Sequence, residues 1–126
     1  MREAKFRLWL KKEKIFYSDT FAVTESGQVV IVEQETIHHQ PEYTFINADE
    51  CEVIQYTGLK DKNGVEIYEG DIILCESRLD KANLFVSFEE GEFILLDGKS
   101  YGHWSIKSFQ KEVIGNIRDN PELLEE

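Results

Sequence analysis

The sequence predicts a mainly β fold: a barrel or pseudo-barrel of short antiparallel strands that closes on one short C-terminal helical turn. Three observations carry this. Apolar residues alternate with period two over several short runs, and turn-forming Gly, Asn-Gly and Asp-Gly sites recur between them. No stretch keeps a 3.6-residue period over the roughly 11–18 residues of a convincing amphipathic helix. Closing such short strands into a barrel removes edges that would otherwise recruit other chains.

The elements follow in order. Lys5 to Lys11 alternates strictly, Phe6, Leu8 and Leu10 on one face and Lys5, Arg7, Trp9 and Lys11 on a solvated one, which is a strand. The apolar runs 21–24 and 29–32 flank Glu25-Ser26-Gly27-Gln28 and read as a hairpin. Residues 33–42 turn polar, and Pro41 interrupts any ladder, so a loop is expected before a short strand at 43–46. Residues 51–57 lead into Asn63-Gly64, read as a two-residue type I′ turn with positive φ at both residues, and 65–68 return from it. Gly70-Asp71 reverses the chain into the buried strand Ile72-Ile73-Leu74-Cys75. Residues 77–82 read as a polar loop. Leu84, Val86 and Phe88 then alternate with Phe85 and Ser87, Gly91 turns the chain into 93–96, Asp97-Gly98 turns it again, 101–106 return, and 113–117 form the last strand. Asn120 is placed to cap a terminal helical turn with Pro121 at its first position.

The central stretch Gln55-Tyr56-Thr57-Gly58-Leu59-Lys60-Asp61-Lys62-Asn63-Gly64-Val65-Glu66-Ile67-Tyr68-Glu69-Gly70-Asp71-Ile72-Ile73 resembles the signature of the YopX-like family. The opening Arg2-Glu3, Lys5-Phe6-Arg7 and Trp9 is similar to the start of that family. Glu112-Val113-Ile114-Gly115-Asn116-Ile117 with Asn120-Pro121-Glu122-Leu123-Leu124 is similar to its end. The resemblance implies an SH3-like barrel component and a protein made during phage or prophage expression in Gram-positive bacteria. It brings no catalytic residues and no cofactor. The whole chain, 1–126, is then expected to be one domain, strands of 1–50 packing on a barrel core at 51–118 with a short tail at 119–126.

Composition narrows the partners. The net charge is −11, but residues 1–14 carry +4 and the remainder −15. An acidic body repels phosphate, so direct nucleic-acid binding is not expected, and only the first strand region can face a phosphate locally. No apolar run approaches the roughly 20 residues of a membrane-spanning helix. The N-terminus lacks a continuous apolar leader segment, so the cytoplasm is the expected location. Cys51 and Cys75 fit neither a C-x-x-C motif nor a zinc knuckle and read as two buried thiols.

Candidate chemistry is sparse. Glu66, Glu69 and Asp71 are clustered carboxylates, but Gly70 splits them across a turn, so metal binding or acid–base pairing is not expected. His38 and His39, near Glu33, Glu35 and Glu42, point to opposite sides of an extended chain and do not readily share one ion. His103 has no nucleophile motif beside it. Gly58, Gly64 and Gly70 recur every six residues without the Lys-Ser/Thr of a phosphate loop. No catalytic, metal or cofactor residues are therefore assigned, and the protein is not expected to be an enzyme. Among the aromatics Trp9, Tyr56, Tyr68, Tyr101 and Trp104, at least three are expected in the core. Trp9, Tyr68, Glu69, Asp71 and Trp104 are the expected surface for a protein partner, from phage or host, and self-assembly is compatible with it. The competing reading is a nucleic-acid mimic, whose acidic body occupies a host DNA-binding protein.

Overall fold

The computed structural model describes residues 4–33, 42–78, 80–99, 102–107 and 110–125. The fold is mainly β, with antiparallel sheets that include a curled half-barrel, and among the described residues helix occurs as short 3-10 turns. The chain divides into two compact units, Phe6–Ile54 and Met1–Lys5 with Gln55–Glu126. The boundary falls inside one long strand.

The Phe6–Ile54 unit contains β1 (Phe6–Leu10), β2 (Ile15–Phe16), β3 (Phe21–Val23), β4 (Val29–Glu33) and β5 (Glu42–Ile46), then a 3-10 turn at Ala48–Glu50 and the start of β6 (Cys51–Lys60). β1 and β2 form a hairpin, closed by Lys14 N donating to Leu10 O at 2.8 Å. The expected β3–β4 hairpin is present, with Phe21 opposite Ile31 and Val23 opposite Val29, and Thr24 Oγ1 accepts from Gln28 N at its tip. β5 adds to β4 in register from Val29↔Ile46 to Glu33↔Glu42. Leu8, Val29 and Cys51 centre the core, against which Leu10, Tyr17, Phe21, Ile31, Ile46 and Val53 pack. One expectation fails on β1: the side assigned to solvent includes Trp9, which is buried. Its ring meets Phe16 edge-on at 4.9 Å, and the apolar contact outweighs the charges around it in sequence.

The second unit continues β6 and adds β7 (Glu66–Tyr68), β8 (Asp71–Glu76), β9 (Lys81–Glu89), β10 (Glu92–Leu96), β11 (His103–Ser105), β12 (Gln110–Asn116) and a 3-10 turn at Pro121–Leu124. Five of these strands form one antiparallel sheet in the order β11-β10-β9-β8-β12. Ile67, Ile73, Cys75, Leu84, Val86, Leu95 and Ile106 make its core. β9 begins at Lys81, inside the stretch expected to be a loop, because a tight turn from Ser77 N to Asp80 O (2.9 Å) hands the chain directly to the ladder with β8.

The turn chemistry differs from expectation in an informative way. Among the described residues other than glycine, only Lys14 and Glu90 have positive φ, so Asn63 does not, and the Asn63-Gly64 turn is not type I′. Gly64 N instead donates to Asp61 O (3.0 Å) and Asp61 N to Val65 O (2.8 Å), giving a three-residue loop with its one left-handed position at Gly64, φ +82°. The type I′ pattern lies in the next hairpin but one, at Glu90-Gly91 with φ of +48° and +83°, between the opposed residues Glu89 and Glu92. The Asn120 cap is also corrected. Asn120 makes no side-chain cap to the Pro121–Leu124 turn; its Oδ1 accepts from Asn116 N at 3.2 Å. That oxygen lies 2.5 Å from where a Cβ on Gly115 would stand. Residue 115 is held to glycine by this close approach.

Two substitutions test these turns. Gly64→Val places a β-branched residue at positive φ and should cost about 1–2 kcal/mol, well beyond the exposed control Lys12→Ala, in urea denaturation. Glu90→Asn puts a residue tolerant of the left-handed region where glutamate now sits and should raise stability by about 0.5–1 kcal/mol, a rise of roughly 2–5 °C in Tm.

Candidate functional site

Several residues of the central stretch have identifiable structural roles. Thr57 Oγ1 donates to Ile67 O (2.8 Å) and accepts from Leu59 N (3.2 Å), which supports a bulge in β6 between the pairs Tyr56↔Tyr68 and Lys60↔Glu66. Gly58, at φ +89°, sits in that bulge. Asp61 is buried; its Oδ1 accepts from Asn63 N and Val65 N at 2.8 and 2.9 Å, and its Oδ2 from Val113 N at 2.9 Å. Burial alone would push this carboxyl up. The N–H donors of Val113, Val65 and Asn63, with the charge of Lys62, outweigh it and hold the group below its ordinary 3.8. Asp71 is buried as well, and its Oδ2 accepts from Tyr68 N at 2.8 Å across the Gly70 turn. Gly70 N donates to Val86 O and Gly70 O accepts from Ile117 N, so this turn joins the hairpin to the large sheet and to the chain after β12.

The clustered carboxylates therefore do not converge. Asp71 faces a backbone amide, Glu66 pairs with Lys5, and the backbone N–H of Glu69 donates to Gln55 O. Among the described residues no group of three His, Cys, Asp or Glu side chains has metal-site geometry. His38, His39 and Glu35 lie outside the described residues, and His103 is exposed on β11. Cys51 and Cys75 are free thiols in the cores of different units. Burial pushes Cys75 up to about 11, against the opposing pull of Lys111, which leaves it protonated and a poor nucleophile at neutral pH.

Of the expected partner residues, most are covered rather than exposed. Trp9, Tyr68 and Asp71 are buried, and Trp9 belongs to the other unit; Trp104 is half-buried against the Ile73–Leu95 core, and Tyr101 lies outside the described residues. Alternation alone does not tell a core-facing aromatic from an exposed one, and Trp9 and Tyr68 are buried and Trp104 half-buried. Phe88 is an exposed aromatic of this unit that sequence reasoning did not single out. It stands on the core-facing side of β9 but at the strand's end, beyond Val86, where the core has run out, and 47% of it is exposed. Its ring packs on Phe93 with centroids 4.9 Å apart. Beside the pair is a cleft of about 360 Å³, lined by Gln55, Tyr56, Thr57 and Gly58 together with Phe88 and Phe93. The Lys5 ammonium lies 5.7 Å from the Tyr56 ring centroid. The turn that follows Phe88 carries Glu89, Glu90 and Glu92, with Glu89 directly opposite Glu92, a placement that costs stability by like-charge repulsion.

A larger cleft of about 510 Å³ lies between the start of β9 and the C-terminal turn. Lys81 and Lys99 line it with Asp80, Asp97 and Glu125, so both charge signs meet there, and Lys81 also bridges Glu76 at 3.9 Å. The Phe88 cleft joins exposed apolar area to the bulge of the central stretch and is the better candidate for recognition.

The Asp61 carboxylate gives a signed pH prediction. A carboxyl held low by the fold adds stability that is present above its ordinary value and is lost as pH falls through the folded value. Asp61→Asn should therefore lower stability by about 2–3 kcal/mol near pH 7. The wild-type and variant denaturation midpoints should converge as pH falls below the ordinary 3.8 and through the lowered folded value.

Comparison with known proteins agrees with this architecture. A crystal structure of protein EF1440 from Enterococcus faecalis superposes with a TM-score of 0.63 at 27% identity, covering 99% of this chain and 100% of that one. The crystal structure of yopX from Bacillus subtilis gives a TM-score of 0.66 at 21% identity with the same coverage. No curated protein matches the chain. The model of the YopX protein family matches residues 5–125, from the strand-opening lysine through the C-terminal turn. With the turns of the central stretch and its buried aspartates in place across that span, the chain belongs to the YopX protein family.

Proposed function

We propose that this protein is a non-enzymatic accessory protein of phage or prophage origin that acts in the bacterial cytoplasm by binding another protein. One observation carries the reading: Phe88, half exposed and stacked on Phe93, flanks a cleft built on residues 55–58 of the central stretch. Exposed aromatic anchors beside a cleft are the usual centre of a protein interface. Two further points support it. The carboxylates of Asp61 and Asp71 accept from backbone amides and that of Glu66 pairs with Lys5, which fits structural tasks for these three. The net charge of −11 and the Glu89–Glu92 turn favour a partner with a basic contact surface, approached by electrostatic steering.

The test is affinity purification from host cells expressing the tagged chain, with wild type and Phe88→Ala compared side by side. A specific partner should be retained by the wild type and bound about thirtyfold more weakly by the variant, the loss of one interface anchor. Association should slow as salt rises. A partner indifferent to Phe88, or tight salt-resistant retention of duplex DNA, would overturn the reading.

A further inference from the structure

Strand β5 is the outer edge of the three-stranded sheet β3-β4-β5 in the Phe6–Ile54 unit. An edge strand presents unpaired N–H and C=O groups, and proteins usually blunt such edges with Lys, Pro, bulges or shortening. From Tyr43 to Ile46, β5 has no charge, no Pro and no Gly, and its ladder to β4 is regular along its length. Tyr43 and Phe45 project from one face and are 66% and 64% exposed. Their cross-strand neighbours on that face are Val32 and Val30, so the stripe is uncharged across two strands. The other face, with Val29, Ile31 and Ile46, supplies the core. Tyr43 and Phe45 are thus left in solvent at the edge of this face, whereas Val30 behind them on β4 is buried.

We infer that this edge is a self-association site, in which β5 pairs antiparallel with β5 of a second copy about a two-fold axis through Thr44. The reasoning is geometric. Antiparallel pairing centred on Thr44 sets that residue opposite its own copy and sets Tyr43 opposite Phe45 of the other chain, twice. The contact is isologous, as a closed dimer requires, and it creates two aromatic cross-strand pairs and one Thr–Thr pair, all of stabilising types. It joins two three-stranded sheets into one of six strands.

Charge selects the same place. Each copy carries −11, so two copies repel wherever carboxylates meet. In this register position 42 falls opposite Ile46, so no two acidic positions are paired across the new ladder. Area sets the strength. Four rings, each about two-thirds exposed, supply roughly 400–650 Å² of apolar surface, below the roughly 1,200 Å² of a stable interface before the backbone edge is added. The dimer is therefore concentration-dependent, with Kd on the order of 10–500 μM at about 0.15 M salt.

Sedimentation velocity of the full chain, over a range from about 5 μM to 1 mM, reads this directly. Phe45→Glu alone and Tyr43→Lys alone should each raise Kd at least about tenfold. Their equimolar mixture should recover association, because in this register the two altered positions oppose each other with opposite charge. Thr44→Cys should give a disulfide-linked dimer under mild oxidation, since opposed residues of an antiparallel pair have Cα atoms about 4.5–5.5 Å apart, and Ser26→Cys on the β3–β4 turn should not. A chain that stays monomeric throughout overturns the inference. So does a dimer insensitive to both single substitutions, or one whose mixed variants fail to recover. If a charged variant loses its fold, the Thr44→Cys cross-link still decides the register. Because the Phe88 cleft lies in the other unit, loss of partner binding in Phe88→Ala and loss of self-association in Phe45→Glu are separate outcomes.

Discussion

The carboxylate of Asp61 takes backbone N–H donors from Asn63 and Val65 within its own loop and from Val113 on β12. A buried carboxylate is costly unless its oxygens are satisfied, and these three donors meet that condition with charge-assisted bonds. The consequence is structural reach. One side chain shapes the loop between β6 and β7 and ties it to a strand more than fifty positions later, where Lys62 N also donates to Lys111 O and Lys62 pairs with Glu112. The bulge on β12, where Ile114 is the extra residue between the pairs Val113↔Ile73 and Gly115↔Ile72, lies next to that tie. It increases local twist and bends the strand, as curling a sheet requires.

Asp71 repeats the device on a smaller scale. Its carboxylate accepts from Tyr68 N while its backbone enters the β8 ladder opposite Asn116, and the Gly70 peptide between them bonds to Val86 O and Ile117 N. The two aspartates and the left-handed glycines at 58, 64 and 70 hold successive reversals of one continuous segment. A segment so constrained by backbone geometry has few side chains left for chemistry. At its margin the bulge of residues 55–58 and the Phe88–Phe93 pair line the same cleft.

Phe88 and the Tyr43–Phe45 pair, both exposed, belong to different units and suit different contacts. Phe88 is one ring above a concave site, which fits an anchor-and-pocket contact. Tyr43 and Phe45 lie along a flat strand edge, which fits strand pairing. Neither stands in a run of apolar sequence unusual enough to mark it. In each case it is position at the end or edge of a sheet that leaves the ring in solvent.

Period-two alternation and turn residues determined the fold class, the β3–β4 hairpin, the strand at 43–46 and the reversals at Gly64, Gly70 and Gly91, because each depends on residues close in sequence. Local signals also placed Asp71 at a turn and both cysteines in apolar surroundings. Which turn took the type I′ form was decided by tertiary structure, since Asp61 reached Val113 and drew Asn63-Gly64 into a three-residue loop, leaving Glu90-Gly91 as the two-residue turn. Asn120 likewise turned from the helical turn to the Asn116 amide because Gly115 left room beside it. Burial was the largest reassignment: alternation gives a residue's face but not whether another layer covers that face. Trp9 and Tyr68 were covered and Phe88, Tyr43 and Phe45 were not, a difference set by contacts between strands far apart in the chain.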